Sequence, residues 1–210
     1  LFFCLIFNIF VKLYYNRSMK IIGVIMEINP FHNGHEYFLS QIPKGENDIL
    51  VAVISSTIMQ RGEFSVLNKH DKAEILLNNN VDIVIELPAV FSNQGGLFFA
   101  KSAIEHLKEL NVTDLYFGSE TSNLEGLLDH IENEVKSSFE KGIYKYSLSS
   151  LKSNDILGIS YLKNIGNIKP HLIKRIGNNY NDTNKNDSII QSATFIRKNY
   201  EEGHDISLFL

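Results

Sequence analysis

Apolar positions in this chain fall into short runs of two periods, and the two kinds of run alternate. Ile21–Glu27 is apolar on both faces, the pattern of a strand buried inside a parallel sheet. A helical pattern follows over His35–Ile42 and stops near Pro43. Asp48–Ser55 reads as a second buried strand, Asp82–Leu87 as a third that Pro88 stops, and Asp114–Phe117 as a fourth that ends at Gly118-Ser119-Glu120. Between them, Asn68 caps a helix running to about Asn79, and Ala100, Ala103, Ile104 and Leu107 repeat with helical spacing. Leu124, Leu127, Leu128, Ile131 and Val135 form a further helical stripe, read as core packing. A helix begins at Asn154 and runs through Tyr161, Pro170–Ile176 is a fifth strand, and Ser192–Tyr200 is a last helix. The loop 56–66 carries Gln60-Arg61-Gly62-Glu63, and the Asn/Asp-rich Gly177–Asp187 reads as a mobile loop.

Strands alternating with helices predict an α/β fold: a Rossmann-like, doubly wound parallel sheet of about five strands with helices on both faces. Ligands of such sheets sit at the carboxyl ends of the strands. His32 and His35 follow strand one, Arg61 follows strand two, Gly118 follows strand four and Arg175 ends strand five. No repeat or boundary divides the chain after Met19, so residues 19–210 are expected to form one domain.

Composition narrows the function. The chain has 210 residues, 44% hydrophobic and 21% charged, an ordinary globular balance. Its net charge of −4 and pI near 6.0 argue against a module that binds RNA or DNA tightly through phosphate neutralisation. The single cysteine, Cys4, allows no internal disulfide and fits a reducing cytoplasm. Leu1 to Tyr15 is almost wholly apolar, yet shorter than the roughly 20 residues that span a bilayer, and it lacks the charge and cleavage site of a secretory signal. Met19 directly precedes the first strand, so residues 1–18 are read as an extension outside the fold; a weak anchor or signal is the alternative.

The densest chemistry is Glu27-Ile28-Asn29-Pro30-Phe31-His32-Asn33-Gly34-His35. Strand, tight loop and two histidines three apart at a helix mouth make a place to hold phosphates, since the first N–H groups of a helix are unpaired and carry partial positive charge. Two plainer readings compete: a metal site, which one cysteine and no other short-range His/Cys cluster disfavour, and a capped helix with incidental histidines. Near the other end, Ser192-Ala193-Thr194-Phe195-Ile196-Arg197 sets two hydroxyls and a guanidinium on the first turns of a helix, suited to a β- or γ-phosphate. Alone, such a serine is most often a cap.

Paired across about 160 residues, the two motifs resemble the nucleotidylyl transferase superfamily. With Gln60-Arg61-Gly62-Glu63, Asp82-Ile83-Val84-Ile85-Glu86-Leu87-Pro88, Phe117-Gly118-Ser119-Glu120, Ser153-Asn154-Asp155-Ile156-Leu157-Gly158 and Lys174-Arg175-Ile176-Gly177, the chain from Met19 to about Tyr200 resembles the tRNA(Met) cytidine acetate ligase family. The resemblance implies a two-step activity. Acetate attacks the α-phosphate of ATP to give acetyl-adenylate and pyrophosphate, and the N4 amino group of the wobble cytidine of elongator tRNA(Met) then takes the acetyl group. It implies His32 and His35 as catalytic residues. It implies ATP contacts from the run Ile25, Met26, Glu27, Ile28, Asn29, Pro30, Phe31, His32, Asn33, Gly34, His35, Glu36, Tyr37 and Phe38, and from Gly118, Asn154, Arg175, Ile176, Ser192, Thr194 and Arg197.

On that reading the histidines hold the phosphates, Ser192, Thr194 and Arg197 steady the departing pyrophosphate, and Gly118 lets the backbone approach the nucleotide. Mg²⁺ is expected with ATP, although no carboxylate cluster marks its site and no metal ligand is assigned. Glu27 serves equally to order the histidine loop or to touch substrate, Arg61 is even between a solvated arginine and a functional one, and Asn154 is also a plausible cap. The strand end before Arg175 is expected to be buried by Ile176. The family's members are about twice as long, and the remainder is expected to carry much of the tRNA contact, leaving this chain with weak tRNA binding and no membrane or DNA partner. Two other functions stay open: a nucleotidylyl transferase acting on another carboxylate or a phosphorylated alcohol, and a non-catalytic nucleotide-binding module.

Overall fold

Five parallel strands form one sheet in the order β3-β2-β1-β4-β5. They are β1 (Ile21–Met26), β2 (Ile49–Ser55), β3 (Ile83–Leu87), β4 (Asp114–Ser119) and β5 (Lys169–Lys174). The structure is a computed structural model that describes residues 19–55, 57–60, 62–121, 123–131, 151–176 and 190–210. Arg61, Val135, the Gly177–Asp187 loop and residues 1–18 lie outside the described residues.

β1 occupies the centre because every residue in it is apolar or glycine and every one is buried. Ile21 and Ile25 face one core while Ile22, Val24 and Met26 face the other, as alternation along a strand requires. The helices divide accordingly. On one face lie α4 (Gly96–Glu109), helical residues 124–131 and α5 (Ser153–Leu162); on the other lie α1 (Asn33–Ser40) and α2 (Lys69–Asn78). A short α3 (Ala89–Ser92), α6 (Ala193–Glu201) and a 3₁₀ turn (Ser207–Phe209) complete the described elements.

The chain winds outward from β1 through β2 to β3, then returns to lay β4 on the other side of β1, with Ile22 opposite Asp114. The loops leaving β1 and β4 therefore part in opposite directions and open a crevice at the carboxyl edge. The doubly wound α/β expectation holds, with local corrections. α1 starts two residues earlier than its periodicity suggested, because His32 caps it. β5 ends at Lys174, and Ile176 is 43% exposed rather than closing the strand end. Leu128 is also 43% exposed: the stripe is one residue too wide, with Leu127 facing the core and its neighbour turned outward. Asn154 is not the cap of α5; that position belongs to Lys152, and Asn154 lies within the first turn.

Candidate active site

The loop after β1 is fixed by a capping box built from two histidines. His32 is extended at the N-cap of α1, and its Nδ1 accepts the Gly34 N–H at 3.0 Å. His35 Nδ1 accepts the His32 N–H at 3.3 Å. The residue pair that usually makes this exchange is Ser/Thr with Glu/Gln; here imidazoles do it, and the rings lie 3.9 Å apart between centroids. Since Nδ1 of His32 is an acceptor, the neutral ring carries its proton on Nε2. His35 also hydrogen-bonds the Glu27 main chain, so its ring is tied into the loop at both ends.

The rest of the loop is anchored residue by residue. Ile28 is fully buried in the core. Asn29 Oδ1 accepts the Val66 N–H at 2.8 Å, and its carbonyl accepts from Arg197 at 2.9 Å. Glu27 Oε1 accepts the Gln60 N–H at 2.6 Å and the Ser55 hydroxyl at 3.3 Å. Below Glu27 lies Lys72, fully buried, whose Nζ donates to the Ser55 carbonyl at 3.1 Å.

The facing wall is the junction of β4, α5 and the end of β5. Asp155 is fully buried, and its Oδ1 accepts from the Ser119 hydroxyl at 2.6 Å and the Glu120 N–H at 3.0 Å, pinning the first turn of α5 to the end of β4. Its neighbour Asn154 donates through Nδ2 to Glu120 Oε1, and Arg175 Nε stands 3.7 Å from the same oxygen. The Arg175 stem crosses Gly118, where an added Cβ would meet Arg175 Cγ at 3.3 Å. The third wall is the start of α6, where Ser192 Oγ accepts the Phe195 N–H at 3.1 Å.

One pocket joins these walls, with about 1140 Å³ of space between them, part of it open to solvent. It brings together Ile25, Met26, Glu27, His32, Gly34, His35, Tyr37, Phe38, Gly118, Asn154, Arg175, Ile176 and Ser192. Ile28, Asn29, Pro30, Phe31, Asn33, Glu36, Thr194 and Arg197 do not line it. Arg197 instead joins α6 to the β1 loop, through Asn29 and, at 3.3 Å, Glu63. Sequence reasoning missed Phe99, Phe117, Leu157, Tyr161, Ile173, Lys174, Ile190, Gln191 and Ala193, which also line the pocket. Tyr161 had a usable signal: it stands seven residues after Asn154, two turns along the same helix face.

The pocket holds its histidines neutral. Burial, and next the Arg175 charge, lower His32 to about 4. Burial, His32 and then Arg175 hold His35 well below the usual imidazole range. Burial also lowers Lys72 to about 8, although the Glu27 carboxylate pulls the other way. Burial and then Glu27 raise the Tyr161 phenol, so it stays protonated. Among the described residues, no group of three or more His, Cys, Asp or Glu side chains is arranged to hold a metal ion, and no helix is long and apolar enough to cross a membrane.

The model of the family described as HIGH Nucleotidyl Transferase matches residues 19–209. The chain belongs to the HIGH nucleotidyl transferase family. A curated relative, the tRNA(Met) cytidine acetate ligase of Thermosipho melanesiensis, is 41% identical over 212 residues, covering 85% of this chain and 50% of the relative. The enzyme of the same name from Lysinibacillus sphaericus is 39% identical, covering 86% of this chain and 53% of the relative. The crystal structure of Thermotoga maritima TmcAL without ligand is similar with a TM-score of 0.73 at 35% identity, over 89% of this chain and 52% of that one. The same protein bound with alpha-thio ATP is similar with a TM-score of 0.72 at 33% identity, over 91% of this chain and 53% of that one. The chain thus spans about half the length of the relatives it matches.

Proposed function

We propose that this chain is the adenylating part of a tRNA(Met) cytidine acetate ligase. It binds ATP in the pocket and joins acetate to the α-phosphate. In the whole protein, the acetyl group passes to N4 of the wobble cytidine of elongator tRNA(Met), giving N4-acetylcytidine. The observation that carries the reading is the pocket itself, where His32 and His35 meet Asn154, Arg175 and Ser192 at the carboxyl edge of the sheet. Relatives named for this activity, and a similar protein bound with alpha-thio ATP, support it.

In the first step an acetate oxygen bonds to the α-phosphorus as the bond to the pyrophosphate oxygen breaks, and pyrophosphate leaves with that electron pair. Such a displacement needs positioning and charge stabilisation rather than covalent help. His32, neutral with its proton on Nε2, donates to a phosphate oxygen. His35, with both ring nitrogens engaged in the loop, holds His32 in that position. Arg175 supplies the positive charge, and Ser192 with the N–H groups at the start of α6 receives the departing phosphates. Arg197, with Thr194 beside it, holds that helix start to the β1 loop.

Mg²⁺ would arrive on the triphosphate oxygens; the described residues do not compose a protein site for it, and it is assigned no step. We place the protein in the cytoplasm, with its tRNA substrate. The acidic balance of this chain, −4, gives it weak tRNA binding at physiological salt.

The test is acetate-dependent ATP–pyrophosphate exchange. Exchange with acetate is expected. Exchange only with another acid, or ATP binding without exchange, would overturn the proposal.

A further inference from the structure

Tyr161 is 3% exposed and lines the pocket, and among the described residues its hydroxyl makes no hydrogen bond. The residue is buried, but its hydroxyl is not one of the side-chain oxygens sealed in the core without a partner: it opens on the pocket, where a ligand oxygen can take its hydrogen bond. The side chain is held where it is by packing. Its ring meets the edge of Phe117 at 5.6 Å and 72°. Gly158, one turn earlier on α5, lets the helix close on that same phenylalanine: a Cβ there would stand 2.7 Å from Phe117 Cε2. Phe99 and Leu157 complete an apolar recess with them, all on the α4–α5 face of the sheet, away from the α1 face on which the histidine loop is built. The pocket therefore has a polar half of histidines, Asn154, Arg175 and Ser192, and an apolar half with one free hydroxyl.

Glu27 borders this recess, and its negative charge would repel a second carboxylate. Lys72 beneath it answers that charge, and its own ammonium is stabilised by Glu27. The phenol remains a donor, since burial and Glu27 both oppose its ionisation.

We propose that this recess is the subsite of the acid: the methyl group of a two-carbon carboxylate packs against Phe99, Phe117 and Leu157, and one carboxylate oxygen accepts from the Tyr161 hydroxyl. The other oxygen is then the one that bonds to the α-phosphorus as the pyrophosphate oxygen departs with its electron pair, and no proton need move. The inference rests on the acid-activating reading above. It assigns acid recognition to α4 and α5 and nucleotide recognition to the polar half.

The experiment is ATP–pyrophosphate exchange with acetate, propionate and butyrate, in wild type, Tyr161→Phe and Leu157→Ala. Tyr161→Phe removes one oxygen atom and should raise the KM for acetate about tenfold or more, while the KM for ATP moves less than about twofold. Leu157→Ala should raise the propionate-to-acetate ratio of kcat/KM by about tenfold, the value of roughly one methylene in a fitted pocket. Equal rises for ATP and acetate in Tyr161→Phe would give the hydroxyl to the nucleotide and overturn the subsite. So would wild-type acid preference and acetate KM in both variants, with the adenylating function left standing. A wild-type chain that exchanges with no acid would remove the function and the subsite together.

Discussion

The His32 ring rests on Gly34: its Nδ1 accepts the Gly34 N–H at 3.0 Å, and a Cβ added at Gly34 would come within 2.8 Å of its Cε1. The glycine between the histidines is thus a matter of space: the Nδ1–Cε1 edge of one imidazole sits where a side chain would begin. Gly34→Ala should push the ring off its N–H donor and move Nε2 relative to the phosphates. A displacement near 1 Å at a reacting centre costs about a hundredfold in rate. Exchange kinetics of this variant, with circular dichroism to show a retained fold, check the claim; a wild-type rate would mean that the position of His32 is immaterial.

His35 lies at the centre of the same loop, accepting from the His32 N–H and bonded to the Glu27 main chain. His35→Ala removes both ties and frees the loop that sets the His32 donor. Losing one such stabilising group typically costs about 3–4 kcal/mol, so acetyl-adenylate formation should fall about a hundredfold or more. Near-normal pyrophosphate exchange would refute the assignment.

The sheet and the histidine loop were legible because their signals are local. β1 and β2 are unbroken apolar runs, and His-x-Gly-His follows directly on the first. What the sequence hides is set by tertiary placement. Arg197 carries the right charge on the right helix, yet it is spent on the Asn29 carbonyl and Glu63 rather than facing the pocket, which only the approach of α6 to the β1 loop decides. Leu128 and Leu127 are alike as residues, and only packing turns one inward. Lys72, unremarked in the helical pattern after Asn68, is fully buried, with its ammonium on the end of β2 and near the Glu27 charge. Tyr161 belongs to the pocket because Gly158 brings α5 onto Phe117.

Buried neutral histidines make stability depend on pH. His32 ionises near 6.5 when unfolded and near about 4 when folded. Between those values the unfolded chain binds more protons, so this contribution is complete above about pH 6.5 and is lost on acidification. From pH 8 to pH 5 the loss from this group is about 2 kcal/mol. Urea denaturation at the two pH values should show wild type losing about that much more than His32→Gln; equal losses would contradict a buried neutral ring.

Lys72 and Glu27 should be coupled. The Glu27 charge favours the ammonium of the buried Lys72, so removing one of the two leaves the other charge uncompensated, whereas removing both is milder. Lys72→Met alone should therefore destabilise strongly, and Glu27→Gln/Lys72→Met should recover part of the loss. A double-mutant cycle from denaturation midpoints measures this, and additive effects would show that the two charges do not meet.

Arg197 separates two ways of serving a phosphate site. If its charge alone matters, Arg197→Lys keeps most of the activity. Its observed bonds use the planar fork, one arm to the Asn29 carbonyl at 2.9 Å and another to Glu63 at 3.3 Å. Lysine cannot reproduce that fork. Glu63 is 53% exposed on its side chain, so its half of the contact is worth at most about 1 kcal/mol. The Asn29 bond is then the important one, because it ties α6, and with it Ser192, to the loop that carries both histidines. Arg197→Lys should accordingly lower exchange nearly as much as Arg197→Ala, each by about tenfold or more, as expected for a charge-assisted bond worth about 1.5–3 kcal/mol. Glu63→Gln should stay within about twofold, in line with a weak exposed pair. Full activity in the lysine variant would return Arg197 to the role of a point charge.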